Sequence, residues 1–137
     1  MPAPERPPAA PGPTEPPLSV GAAPPIVSGQ DNSASRESCD GGYSMNGRSG
    51  TGSRSGRGSP DTSCTFTQSV LEAYWNTYGN ATRAQRTVSA PGAVDCRTVL
   101  PDGRGCDGYN FVMQCSGQPG NAYITCEGGR NARVYLY

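Results

Sequence analysis

The residues best able to do chemistry in this chain are six cysteines: Cys39, Cys64, Cys96, Cys106, Cys115 and Cys126. Cysteine serves as a nucleophile, as a zinc ligand or as half of a disulfide. A catalytic thiol needs a base beside it. This chain has no histidine and no lysine, and all 11 of its basic residues are arginine, so the usual activators are missing. Zinc sites pair cysteines two residues apart or add histidines, and neither pattern is present. An even set of cysteines in a short, loop-rich chain reads instead as a disulfide framework, and so as a protein of an oxidising compartment.

The remaining catalytic option is a pair of carboxylates. Asp95, Asp102 and Asp107 cluster around Cys96 and Cys106, and Glu72 lies in a helical stretch. Asp102 is accounted for by its turn, "LPDGR", in which Pro101 presets φ, the aspartate bonds local backbone and Gly103 accepts positive φ. Asp95 and Asp107 lie in polar loop sequence, and no spacing sets two acids at a defined distance. The glycine-rich stretches do not follow a strand and open a helix, so they are not phosphate cradles. Asn80-Ala81-Thr82 is a formal glycosylation sequon, but its place in a helix stop suffices to explain it. The expectation is therefore a non-enzyme with no catalytic residue, no metal and no cofactor. A glycosidase-like hydrolase is the alternative.

The 137 residues suggest one domain, and its folded part is smaller than the chain. Ten of the 14 prolines fall in residues 1–25. Such a segment buries too little to offset its ordering entropy, so residues 1–38 read as a disordered proline-rich linker or stalk. Residues 39–137 are the expected domain, with a flexible Gly/Ser/Arg loop at 47–61. A core this small is marginal without the cysteine staples. The net charge is zero, which argues against nucleic acid or an anionic membrane as partner. Disulfides imply export, yet residues 1–30 carry no signal-like segment, and no run approaches the roughly 20 apolar residues of a membrane span. The expectation is that an export or anchoring segment lies upstream of Met1, or that the start is misassigned, so that membrane contact is only through such a tether.

The elements that must position these residues follow from periodicity. "CTFTQSVLEAYWNTY" (64–78) is helical, with Phe66, Val70, Ala73, Tyr74 and Tyr78 on one stripe. Asp61, Thr62 or Ser63 caps its start and Gly79-Asn80 its end. Trp75 and Leu71 fall at the edge of the stripe, which makes Trp75 a candidate binding anchor. "RTVSA" (86–90) is a short strand. Cys96 and Cys106 flank the "LPDGR" turn almost symmetrically, so a local bridge across a hairpin is expected there. "YNFVMQC", "AYITC" and "ARVYLY" alternate and are separated by short turns, which makes an antiparallel meander. Fold class is thus α+β: one N-terminal helix packed on a small antiparallel β-meander, disulfide-stapled and preceded by the stalk. The outward face of the last strand carries Arg133, Tyr135 and Tyr137, with Tyr123 beside them. Tyrosine and arginine are residues that binding surfaces favour.

"TSCTF" (62–66), "VLEAY" (70–74), "FVMQC" (111–115), "YITC" (123–126) and "GGRNARVYLY" (128–137), in this order and spacing, resemble a small cysteine-containing extracytoplasmic domain of actinobacteria, mycobacterial in type. Such domains are seen behind a transmembrane segment and proline-rich linker, and at the outer end of some membrane Ser/Thr kinases. The resemblance covers residues 39–45 and 62–137. It implies that Cys39, Cys64, Cys115 and Cys126 form the shared core, that the 47–59 segment is an insertion and that 95–107 is an added hairpin. It carries no activity and no catalytic residue. The function expected is an extracytoplasmic cell-envelope module, secreted or anchored and facing outside, that binds or senses an envelope protein, peptide or glycan. The alternatives are a disulfide-rich inhibitor presenting the 96–106 loop and the carboxylate hydrolase. Thiol titration of the unfolded, unreduced protein from its native compartment should find almost no free thiol; six thiols per chain would remove the compartment argument.

Overall fold

A computed structural model of the chain describes residues 17–137. In chain order the elements are β1 (Tyr43–Ser44), β2 (Arg54–Arg57), α1 (Cys64–Tyr78), β3 (Arg86–Ala90), α2 (Cys96–Val99), β4 (Cys106–Asp107), β5 (Asn110–Ser116), β6 (Ile124–Gly128) and β7 (Ala132–Leu136). The strands form one antiparallel sheet in the order β1-β2-β7-β6-β5-β3, with β4 paired to β5 off this path. The fold is mixed helix and antiparallel sheet, and three bridges hold it: Cys39–Cys64, Cys96–Cys106 and Cys115–Cys126. Among the described residues no helix is long and apolar enough to cross a membrane.

The meander β5-β6-β7 follows its alternation. Phe111, Met113 and Cys115 of β5, Ile124 and Cys126 of β6, and Val134 and Leu136 of β7 all point into the core. Cys115 lies directly opposite Cys126 in the β5–β6 register, so the bridge spans adjacent strands. Tyr109 does not extend this face; it precedes β5 and is 76% exposed.

Helix α1 starts where Ser63 accepts the Phe66 N–H at 3.0 Å on its hydroxyl. It ends at Gly79, which is left-handed and donates to the Trp75 carbonyl at 2.9 Å. Its buried side is Cys64, Phe66, Thr67, Val70, Leu71, Tyr74 and Trp75. Relative to the expected stripe, the buried face is rotated towards Leu71 and Trp75. Ala73 and Tyr78 lie at its margin instead.

The reason for that rotation is β2. Residues 47–61 are not simply a flexible loop: Arg54–Arg57 pairs with β7 on one side and β1 on the other, and Ser55 and Arg57 face the helix. Ser55 donates its hydroxyl to the Thr67 carbonyl at 3.0 Å. Arg57 is 2% exposed. It donates from Nε to the Thr62 carbonyl at 2.7 Å, from one terminal nitrogen to Gly29 O at 3.0 Å and from the other to Pro60 O at 3.1 Å. The strand is buried through polar satisfaction, not through apolar side chains.

The expected 1–38 linker is corrected over 17–38; residues 1–16 lie outside the described residues. Ala22 bridges Asn121, Val27 donates to Arg57 O at 2.9 Å, and the Ile26 side chain lies over Gly56. Proline excludes helix here, and the extended chain lies down on the sheet as a strap. The expected hairpin at 96–106 is corrected too. Asp95 caps a single helical turn, Cys96–Val99, and the chain returns through turns to the Cys106 bridge.

The free edge of β3 is also covered. The Tyr78 hydroxyl donates to Thr87 O at 2.6 Å and accepts the Thr87 N–H at 3.2 Å, which satisfies outward backbone groups on that edge. Replacing Arg57 with alanine should cost about 3 kcal/mol in urea unfolding, because three carbonyls lose their donor in a buried site. Lysine should restore little, since one ammonium cannot match the fork.

Candidate functional site

A groove of about 420 Å³ opens beside the start of α1. Its floor is apolar. The rings of Phe66 from the first turn of α1 and Phe111 from β5 meet edge to face at 5.3 Å, and Val99 of α2 and Ala132 of β7 extend the surface. Val94, 52% exposed, forms a lip. The walls are the 32–35 loop, the 92–94 segment and the turn before β7.

Each wall has a local cause. Gly92 lies so close to Phe111 that a Cβ there would fall 2.5 Å from the ring; any larger residue displaces the floor. Gly129 has φ 56° and abuts the other edge of the same ring, so the turn carrying Arg130 follows directly. Ser59 Oγ donates to the Asn131 carbonyl and so ties that turn to β2. Asp61 accepts from Asn32 at 3.3 Å and from Asn131 at 3.5 Å, and so links two opposite walls.

The 32–35 wall hangs from Asp31, which is 1% exposed. One carboxylate oxygen accepts from the Ser33 hydroxyl, the Ser33 N–H at 3.1 Å and the Glu37 N–H at 3.0 Å; the other accepts the Cys64 N–H at 2.9 Å, a donor that the helix start leaves free. Burial pushes the Asp31 carboxyl up, but the Ser33 hydroxyl and then the Cys64, Ser33 and Glu37 amides outweigh it and hold the group below its ordinary range. Burial first, then the charges of Glu37 and Asp31, pushes the nearby Tyr43 phenol up. Asp31, Glu37 and Cys64 bring metal-type atoms close together. They are not a free ligand set, since the Cys64 sulfur is bonded to Cys39 and the Asp31 oxygens are filled by protein donors.

The residues expected to form a binding surface lie elsewhere, and most are engaged. Trp75 is 8% exposed, donates its indole N–H to Gly52 O at 2.8 Å and has Arg48 over its ring at 5.4 Å. It is a core anchor joining α1 to the segment before β2, not an exposed contact. Tyr123 and Tyr135 do meet, edge to face at 5.1 Å, but Tyr135 is 5% exposed. Ile26 of the strap lies on that face, over Gly56, the register partner of Tyr135. Arg133 pairs with Glu127 at 2.9 Å, and Tyr137 is half-buried beneath Arg54 at 5.4 Å. Of the carboxylates considered for catalysis, Asp95 accepts from the Arg97 N–H at 2.9 Å and Asp102 from the Arg104 N–H at 3.0 Å. Both serve turns. Sequence reasoning missed Val94 and Arg130; the available signal was a branched apolar residue in the turn-forming run "PGAVD" and an arginine in a glycine turn.

No protein-family model, curated protein or solved structure matches this chain.

Asp31→Asn should lower stability by about 3 kcal/mol at pH 7, since the amide nitrogen opposes an N–H donor. Because the folded carboxyl titrates below the unfolded value of about 3.9, its contribution is present above that value and lost as pH falls through the folded one. Urea unfolding from pH 7 to pH 2 should show the gap between wild type and variant closing only below about pH 4; a gap constant with pH would contradict this role.

Proposed function

We propose that this chain is an extracytoplasmic cell-envelope module that works by binding, with the groove over Phe66 and Phe111 as its site. The carrying observation is a preformed apolar floor ringed by polar walls, the general form of a small-ligand site. Three disulfides fit an oxidising, extracellular setting, and the resemblance to actinobacterial extracytoplasmic domains agrees with that setting. In this reading the proline-rich residues before Pro17 connect the domain to the envelope. Two observations favour binding over the alternatives. The loop between Cys96 and Cys106 opens as a helical turn and passes through Gly103 and Gly105 at positive φ, a poor match to an extended inhibitory segment. Asp95 and Asp102 each accept a local backbone N–H in a turn, which weakens the support for the hydrolase reading.

The test is a two-dimensional amide NMR titration with 3-phenylpropanamide. Signals of residues 32–35, 92–94 and 130–132 should move together, with millimolar affinity. Ala93→Trp, which fills the groove from an exposed position, should abolish the response while circular dichroism stays native. Shifts confined to residues 123, 133 and 135 would move the site to the sheet face and sink this assignment.

A further inference from the structure

The groove carries one charged group that the fold does not use. Arg130 is exposed, lines the groove and has no hydrogen-bond or ion-pair partner among the described residues. Two neighbouring arginines, by contrast, are committed: Arg57 to three carbonyls and Arg133 to Glu127. The backbone that carries Arg130 is held, since its turn runs between Gly129 and Asn131, both at positive φ, and Ser59 bonds the Asn131 carbonyl. The planar guanidinium fork of Arg130 matches a planar, bidentate acceptor. The one carboxylate lining the groove, Asp61, already receives the Asn32 and Asn131 amides. Its charge is partly met by those two amides. The Thr65 N–H, in the first turn of α1, has no partner among the described residues, and that turn contains no acidic side chain.

We infer that the groove binds a small carboxylate with an apolar body: the carboxylate on Arg130, the body on Phe66 and Phe111. At about 30 Å³ per ligand-sized atom group, a cavity of this size takes on the order of a dozen non-hydrogen atoms. That suits a single ring or branched chain plus its acid group and is too small for a folded partner. The inference rests on the groove being the binding site and adds the class of ligand.

The experiment compares 3-phenylpropanoate with 3-phenylpropanamide on the intact chain by the same amide NMR titration. The carboxylate should bind about tenfold tighter or more than the amide. Arg130→Gln should bring the two to parity without weakening the amide, and raising salt from 20 to about 500 mM should erode only the carboxylate's advantage. Equal affinities in the wild type, or an advantage that survives Arg130→Gln, would overturn the ligand class while leaving the groove standing. If neither probe moves the groove signals, both the ligand class and the site fail.

Discussion

One end of this molecule depends on a guanidinium that has no counter-ion within bonding range among the described residues. Arg57 leaves a central strand and spends its donors on three backbone carbonyls, at Gly29, Pro60 and Thr62. These belong to two different pieces of chain: the strap, and the connection from β2 to the residue before the helix cap. Arginine is suited to this because its planar fork reaches several acceptors at once, and because it is less strongly hydrated than lysine and so less costly to bury. With Thr62 held, Ser63 is placed to cap α1. With Gly29 held, the strap turns into the sequence that carries Asp31, which takes the Cys64 N–H at the same helix start. Two buried groups of opposite sign thus organise one helix terminus from two sides, each satisfied by backbone partners.

The groove is a consequence of that polar joint. Apolar packing closes gaps because side chains slide until they touch. Hydrogen-bonded walls stop where their bonds are made. The 32–35 loop is fixed by Asp31 and the turn before β7 by Ser59 and Asp61; the residues of the 32–35 wall are asparagine, serine and alanine, too short to fill the space over Phe66 and Phe111, and Arg130 on the turn is exposed. An open space therefore remains beneath polar rims, with the buried rings of Phe66 and Phe111 at its base.

How much of this is legible in the sequence varies with the kind of signal. The meander, β3, the helix with both of its caps and the Cys96–Cys106 bridge are all local patterns, and the structure contains each of them. What is not legible is burial without apolar residues. "RSGR" carries no alternation, so β2 reads as loop. Without β2 there is no wall beside Leu71 and Trp75, so the helix stripe is misplaced and Trp75 reads as a surface anchor. Proline likewise marks an extended chain but not whether that chain lies on a sheet, so the strap reads as a stalk and the Tyr135 face as open. The groove is drawn from five separate segments, and none of them has a motif.

The placement of the covalent staples follows the same division. Cys96–Cys106 and Cys115–Cys126 close short loops, with separations of 10 and 11 residues, the second between the adjacent strands β5 and β6. Cys39–Cys64 closes the longest, 25 residues, and within it lie β1 and β2, the part of the sheet with the least apolar burial. On a chain-entropy account a loop of that length contributes about 3.5 kcal/mol, against about 2.7 for the shorter ones. The largest covalent contribution thus falls where side-chain packing contributes least. The bridge also ends on Cys64, the first residue of α1, whose N–H Asp31 holds. Covalent closure, a buried carboxylate and a buried guanidinium converge there because a polar strand cannot be seated by the hydrophobic effect alone.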